Sequence, residues 1–77
     1  IQKQFDLVVA NIDFMSLKRI RIPLIRHVKR QGILILSGVL ERERERLCQL
    51  YLETGFFQRA KVLQEEEWVC VTFRKVG

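Results

Sequence analysis

The chain has 77 residues, 48% of them hydrophobic, and a net charge of +5. This length allows one domain with a modest core, since a domain of this size buries only about 60% of the surface that its unfolded chain exposes. No stretch approaches the roughly 20 apolar residues needed to cross a bilayer and no signal-peptide pattern opens the chain, so we expect a soluble, cytoplasmic protein without membrane contact.

The first predicted element is a strand from Phe5 to Ile12, in which only Asn11 interrupts the apolar run from Leu7 onward. Such a run is typical of a parallel sheet that helices cover on both faces. Ligands of these sheets bind beyond the carboxyl ends of the strands, which makes Asn11 a candidate functional residue. An asparagine that only satisfies backbone groups at a strand end would have the same spacing.

Two short helices follow, at about 15–21 and 23–30. Leu17, Ile20, Leu24 and Val28 recur at spacings of three and four, which is one face of a helix. Pro23 interrupts this face and fits the first turn of the second helix. We expect the chain to turn at 31–32.

The net charge originates in the first half of the chain. Residues 1–40 carry seven basic and two acidic residues, and residues 41–77 carry seven of each. A basic segment of this kind most often is a solvated helix face, and it also fits RNA contact. The residues available for RNA are Lys18, Arg19, Arg21, Arg26, Lys29 and Arg30.

The second half predicts a strand, a helix and a hairpin. The apolar run 33–36 is a second buried parallel strand beside the first, which brings Ser37 and Gly38 next to Asn11. A helix from about 40 to 53 has alternating charges on a solvated face and ends at Gly55. Strands at 56–63 and 68–73, joined by a short acidic connector, form an antiparallel hairpin.

The remaining reactive or aromatic side chains have structural explanations. Cys48 and Cys70 are interpreted as small buried hydrophobes, and His27 has no evident acid–base partner. We expect no disulfide, because both cysteines are explained as buried hydrophobes in different elements, and no metal site, because further ligands at short spacing are missing. Trp68 is expected to pack in the core or in the hairpin.

Four segments resemble the ribosomal-protein methyltransferases of the PrmA type. They are Phe5-Asp6-Leu7-Val8-Val9-Ala10-Asn11-Ile12, Gly32-Ile33-Leu34-Ile35-Leu36-Ser37-Gly38-Val39-Leu40, Thr54-Gly55-Phe56, and Glu67-Trp68-Val69-Cys70-Val71-Thr72-Phe73-Arg74-Lys75. They occur in the family's order and spacing and cover nearly the whole chain. The resemblance implies an α/β fold with the order strand-helix-strand-helix-strand-strand. This is the second half of a seven-stranded, Rossmann-like methyltransferase sheet whose last strand is antiparallel.

The resemblance also implies methyl transfer from S-adenosylmethionine to amino groups of a ribosomal protein substrate. It assigns Asn11 as the catalytic residue, Ala10 and Asn11 to the cofactor, and Ile12, Asp13 and Phe14 to the substrate. The family continues after the asparagine with small residues and a proline, whereas this chain has Asp13-Phe14-Met15-Ser16. The family's glycine-rich cofactor loop has no counterpart, because the glycines here are isolated.

Residues 1–77 are therefore expected to be a partial methyltransferase domain, inactive alone and lacking the glycine-rich half that binds the cofactor. The start at Ile1 is interpreted as a cut inside a larger protein, although processing or trimming would look the same. The cut would leave one edge of strand 5–12 unpaired, so we expect self-association there. The alternative is a small basic RNA-binding or protein-assembly module without catalytic activity.

Overall fold

The computed structural model describes residues 3–77, apart from the side chain of residue 60. Ile1 and Gln2, at the expected start of the fragment, lie outside the described residues. The elements are strand β1 (Phe5–Asn11), helices α1 (Phe14–Arg19) and α2 (Arg21–His27), strand β2 (Val28–Leu40), a 3-10 turn (Glu41–Glu43), helix α3 (Arg44–Leu52), and strands β3 (Phe57–Glu65) and β4 (Trp68–Lys75).

The described strands form one sheet in the order β1-β2-β4-β3. β1 and β2 are parallel neighbours, with Val8 opposite Leu34 and Asn11 opposite Ser37. β4 lies antiparallel between β2 and β3. The expected mixed α/β class, the parallel pair and the antiparallel hairpin are all confirmed.

The helices cover one face of this sheet. Leu17, Ile25 and Leu47 from the helices join alternate residues of the strands, such as Leu34 and Leu36, in one buried cluster. Tyr51 of α3 adds an aromatic contact, with its ring centroid 5.7 Å from that of Phe73 in β4. Burial of these apolar side chains stabilises the fold by about 25 cal/mol for each Å² removed from water.

The other face, here called the open face, is uncovered in the described chain. Leu7 and Val9 of β1 are 56% and 59% exposed, and Leu63 of β3 is 54% exposed. Three further residues on this face are half-buried: Ile33, Ile35 and Cys70. The expectation that β1 is buried on both faces was wrong, because α1, α2 and α3 all pack on the side of Val8 and Ala10.

The boundary between α2 and β2 also differs from the expectation. The helix ends at His27 rather than at 30, and β2 begins at Val28 rather than at 33. The expected turn at 31–32 is an irregularity inside β2, where Gln31 has a φ of 72°. The physical reason is a contact from the far end of the chain: the Lys75 side chain binds the carbonyl groups at the end of α2.

The other predicted boundaries shift by a few residues. Pro23 lies in the first turn of α2 as expected, and Gly55, with a φ of 81°, follows the end of α3. Glu41 and Arg44 form an ion pair at the start of the charged helical segment, with their side chains 3.3 Å apart. Glu43 accepts a hydrogen bond from the backbone N–H of Leu40 at 3.0 Å. Within residues 3–77, every helix is too short to span a membrane.

Candidate functional site

The carboxyl ends of β1 and β2 meet at one edge of the sheet, where Asn11 is paired with Ser37. A cavity of about 890 Å³ opens at this edge. Its lining residues are Asn11, Ile12, Asp13, Ser37, Gly38, Leu63, Gln64, Glu65, Trp68, Val69 and Cys70. The parallel pairing thus brings the candidate functional residue of the first strand to an open, partly apolar site.

Asn11 is the last residue of β1 and is exposed at this cavity. The residues before it pair with β2, and this pairing holds the backbone from which the Asn11 side chain extends. A side-chain amide offers both a hydrogen-bond acceptor and a donor without carrying charge. Asn11 can therefore orient a polar ligand group without protonating it or attacking it.

Asp13 lies at the cavity and also caps a helix. Its Oδ1 accepts a hydrogen bond from the backbone N–H of Ser16 at 2.7 Å, which satisfies one of the free donors at the start of α1. This hydrogen bond lowers the pKa of the Asp13 carboxyl from its usual 3.8. Asp13 is consequently a fixed anion at neutral pH, with one oxygen committed to the helix.

The structure brings together three of the five site residues expected from the sequence. Asn11, Ile12 and Asp13 line the cavity, and Ile12 is 38% exposed there. Ala10 and Phe14 instead pack against the helix-covered core. The strand alternation explains Ala10, whose side chain points to the face opposite that of Val9.

The hairpin supplies a wall of the cavity that the sequence analysis missed. Trp68, the first residue of β4, is paired with Leu40 and is 50% exposed at the cavity. Trp68 does not pack in the core, because its side chain lies on the open face, where it is paired with Glu65 in the hairpin. The signal was available: an antiparallel strand inserted beside β2 must start near the carboxyl end of β2.

The six basic residues considered for RNA contact do not form one helix face. Arg21 donates hydrogen bonds to the Leu50 carbonyl oxygen at 2.9 Å and to the Glu53 carboxylate at 3.1 Å. Lys29 and Arg30 belong to β2, so they lie outside the helices in which we expected them. Arg21 thus contributes to packing between α2 and α3 rather than to a free basic surface.

The two cysteines are not bonded to each other. Cys48 is buried in the core, as expected, and accepts a weak contact from the Arg59 guanidinium at 3.7 Å. Cys70 is only half-buried, because it lies on the open face.

Comparison with a family model and with curated proteins leads to the same family. The family model described as "Ribosomal protein L11 methyltransferase (PrmA)" matches residues 1–76. The ribosomal protein L11 methyltransferase of Mesorhizobium japonicum is 36% identical over 67 residues, which are 87% of this chain and 23% of that protein. The corresponding protein of Haemophilus ducreyi is 39% identical over 69 residues, which are 90% of this chain and 23% of that protein. The chain thus spans about a quarter of the length of these curated relatives.

Two solved structures share the fold. A ribosomal protein L11 methylase from Lactobacillus delbrueckii subsp. bulgaricus superposes with a TM-score of 0.86 at 25% identity, covering 100% of this chain and 39% of that one. The N-methyltransferase NodS from Bradyrhizobium japonicum superposes with a TM-score of 0.68 at 13% identity, covering 100% of this chain and 54% of that one. The second likeness concerns the fold alone.

Proposed function

Because the chain belongs to the ribosomal protein L11 methyltransferase family, we propose that it is part of an enzyme that methylates amino groups of a ribosomal protein. The observation that carries this proposal is the exposed amide of Asn11 on the cavity where β1 and β2 end. The family membership supports methyl transfer as the reaction, and the cavity supports Asn11 as the residue that takes part in it. Residues 1–77 then act as a partial methyltransferase domain that is inactive alone.

In this proposal Asn11 orients the acceptor amine. Its Oδ1 accepts a hydrogen bond from the amine, which leaves the nitrogen lone pair free to point into the cavity. Its N–H group donates to whatever polar group lies beside the amine. Alignment of this kind accounts for a large share of catalysis in group transfer, so neither a general acid nor a nucleophilic residue is required of the chain.

The described residues fit one end of S-adenosylmethionine. An uncharged amide beside exposed apolar and aromatic side chains, among them Ile12 and Trp68, is compatible with a sulfonium group and its methyl. The cofactor supplies an electrophilic methyl group when bound. The four glycines, at positions 32, 38, 55 and 77, are too far apart for a glycine-rich phosphate- or nucleoside-binding turn. We therefore assign Asn11 to the methyl-donor end only, and Ala10, whose side chain packs against the core, to the support of the strand that carries it.

The acceptor side is assigned to Ile12, Asp13 and Phe14. Ile12 and Asp13 border the cavity, and the fixed carboxylate of Asp13 favours a cationic substrate segment nearby. Phe14 packs against the core and is proposed to act by holding this loop in place.

The sheet order β1-β2-β4-β3 supports a larger arrangement. We propose that these strands are one half of a seven-stranded sheet, and that further strands pair with the free edge of β1. In the isolated chain the same edge is available to a second copy. Self-association through strand 5–12 is therefore part of the proposal, whereas RNA contact through Lys18, Arg19, Arg26, Lys29 and Arg30 is the weaker part, because Arg21 is already bound within the fold.

A hybrid enzyme tests the function directly. The matching 69 residues of the Haemophilus ducreyi relative are replaced by those of this chain, and transfer of labelled methyl from S-adenosylmethionine to ribosomal protein L11 is measured. The control is the same relative truncated before this segment. We expect the hybrid to methylate and the truncated protein to be inactive. A hybrid that folds and binds the cofactor but transfers no methyl group contradicts the proposal.

A further inference from the structure

The amide of Asn11 rests against the backbone of Gly38. A Cβ atom built on residue 38 would lie 2.7 Å from Asn11 Oδ1, 3.0 Å from the carbonyl oxygen of Ile12 and 3.3 Å from its backbone nitrogen. Real Cβ atoms essentially never lie closer than 3.0 Å to a non-bonded heavy atom beyond the neighbouring residues. A side chain at position 38 would therefore displace the Asn11 amide or the backbone that follows it.

A bulge in β2 produces this approach. The pairs Leu36 with Val71 and Val39 with Val69 leave one extra residue on β2 relative to β4. Gly38, inside this bulge, has a φ of 84°, in the left-handed region that glycine adopts without steric cost. Bulges bend a strand and redirect its backbone, and here the redirected backbone lies under the end of β1.

We propose that Gly38 is a positioning residue for Asn11, and that the bulge at Ser37 and Gly38 is a platform that fixes the orientation of the amide at the cavity. The proposal rests on the proposed function, in which this amide aligns the acceptor amine. A displacement of about 1 Å is enough to cost on the order of 100-fold in rate when alignment is the main contribution. Gly38 also borders the cavity, but in this role it acts through Asn11.

Gly55 provides a matched control. Its φ of 81° is nearly the same as that of Gly38, so alanine carries a similar backbone cost at both positions. However, a Cβ at residue 55 has no heavy atom within 4 Å. The difference between Gly38→Ala and Gly55→Ala thus isolates the contact with Asn11 from the backbone effect.

The first experiment follows the amide itself. Asn11 is the single asparagine of the sequence, so selective ¹⁵N-asparagine labelling of the 77-residue chain gives one side-chain NH₂ pair. We expect Gly38→Ala to shift this pair and Gly55→Ala to leave it unchanged. An unshifted pair in folded Gly38→Ala overturns the proposal.

The second experiment is a double-mutant cycle, which also covers a variant that fails to fold. Gly38→Ala is introduced into the natural chain and into Asn11→Ala, and unfolding is measured by denaturant titration. Gly38→Ala lowers the folding equilibrium constant by some factor in each background. We expect this factor to be about ten times smaller in Asn11→Ala than in the natural chain, within the range measured for contacting residues. Folding of Asn11→Ala/Gly38→Ala when Gly38→Ala alone is unfolded supports the proposal. Equal losses, or unfolding in both backgrounds, overturn it.

These measurements need neither cofactor nor substrate. If the hybrid enzyme transfers no methyl group while the amide shifts and the cycle shows coupling, the platform stands and the proposed function fails. If the hybrid is active while the amide is unaffected by Gly38→Ala, the function stands and the platform fails.

Discussion

The Nζ of Lys75 lies 2.8 Å from the carbonyl oxygen of Val28, so the last strand, β4, is bound to the carboxyl end of α2, in the first half of the sequence. The same ammonium group donates to the Ile25 carbonyl oxygen at 3.0 Å. The residue is only 7% exposed, and its charge lies where the dipole of α2 is negative. One buried cation thus satisfies two backbone acceptors and joins β4 to α2.

Replacing Lys75 by methionine is expected to destabilise the chain by about 2 kcal/mol, because both carbonyl groups lose a charged hydrogen-bond donor. Methionine keeps most of the apolar contact, so the loss reports the ammonium group. Lys61→Met on β3 is the control, since Lys61 is exposed. Denaturant unfolding of both variants is the measurement, and equal stabilities would show that the Lys75 contacts contribute nothing.

Tyr51 makes the chain sensitive to alkaline pH. Its hydroxyl donates to the Leu17 carbonyl oxygen at 2.7 Å, and burial raises the pKa of Tyr51 to about 12 from its usual 10.0. The unfolded state therefore loses this proton first as the pH rises. The resulting loss of stability is absent below about pH 10 and grows between pH 10 and the folded-state pKa.

The variant Tyr51→Phe separates this effect from the other groups that titrate at high pH. It is expected to cost about 1 kcal/mol at neutral pH, through the lost hydrogen bond. Its stability should fall less steeply than that of the natural chain above pH 10. Parallel slopes for the two proteins would show that Tyr51 does not contribute to the alkaline transition.

The open face and the free edge of β1 predict association of the isolated chain. Leu7 and Val9 are both more than half exposed beside a strand edge that has no partner within residues 3–77. Sedimentation velocity over a range of concentrations should detect a dimer, which Val9→Lys weakens. Met15→Lys, at a residue of α1 that is 54% exposed, should leave it unchanged. A single monomeric species at high concentration would contradict this prediction.

The fold was largely predictable because its signals are local. The apolar runs at 7–12 and 33–36 and the turn at Gly55 depend on neighbours in the sequence, and they predicted β1, β2 and the end of α3. The end of α2 was not predictable, because Lys75 binds it from 50 residues away. The residues of the site likewise divide into those predictable from local sequence and those that depend on long-range contacts. Asn11 follows from its place in a strand, whereas Trp68 and the contact with Gly38 depend on how β2 and β4 are paired.

The isolated 77-residue chain is expected to give no measurable heat with S-adenosylmethionine in titration calorimetry. The chain offers Asn11 and the apolar walls of the cavity, and its isolated glycines provide no turn for the nucleoside part of the cofactor. Contacts at one end only should leave the dissociation constant above about 1 mM, which corresponds to roughly 4 kcal/mol of binding free energy. Micromolar binding would show that the cofactor site is complete within these residues.

Substitution of Asn11 tests its role in the hybrid enzyme. Asn11→Ala removes both the acceptor and the donor of the amide, and we expect methyl transfer to fall by about 100-fold, as for a misaligned reactant. Asn11→Asp keeps the shape and the acceptor but adds a negative charge, which holds the amine in its protonated form and withdraws the lone pair from reaction. Transfer by Asn11→Asp should therefore be slow at neutral pH and should recover as the pH rises, whereas Asn11→Ala should show no such recovery. Gln64→Ala, at an exposed residue on another wall of the cavity, is the matched control and should retain the rate. If Asn11→Ala transfers methyl groups as fast as this control, Asn11 does not align the acceptor.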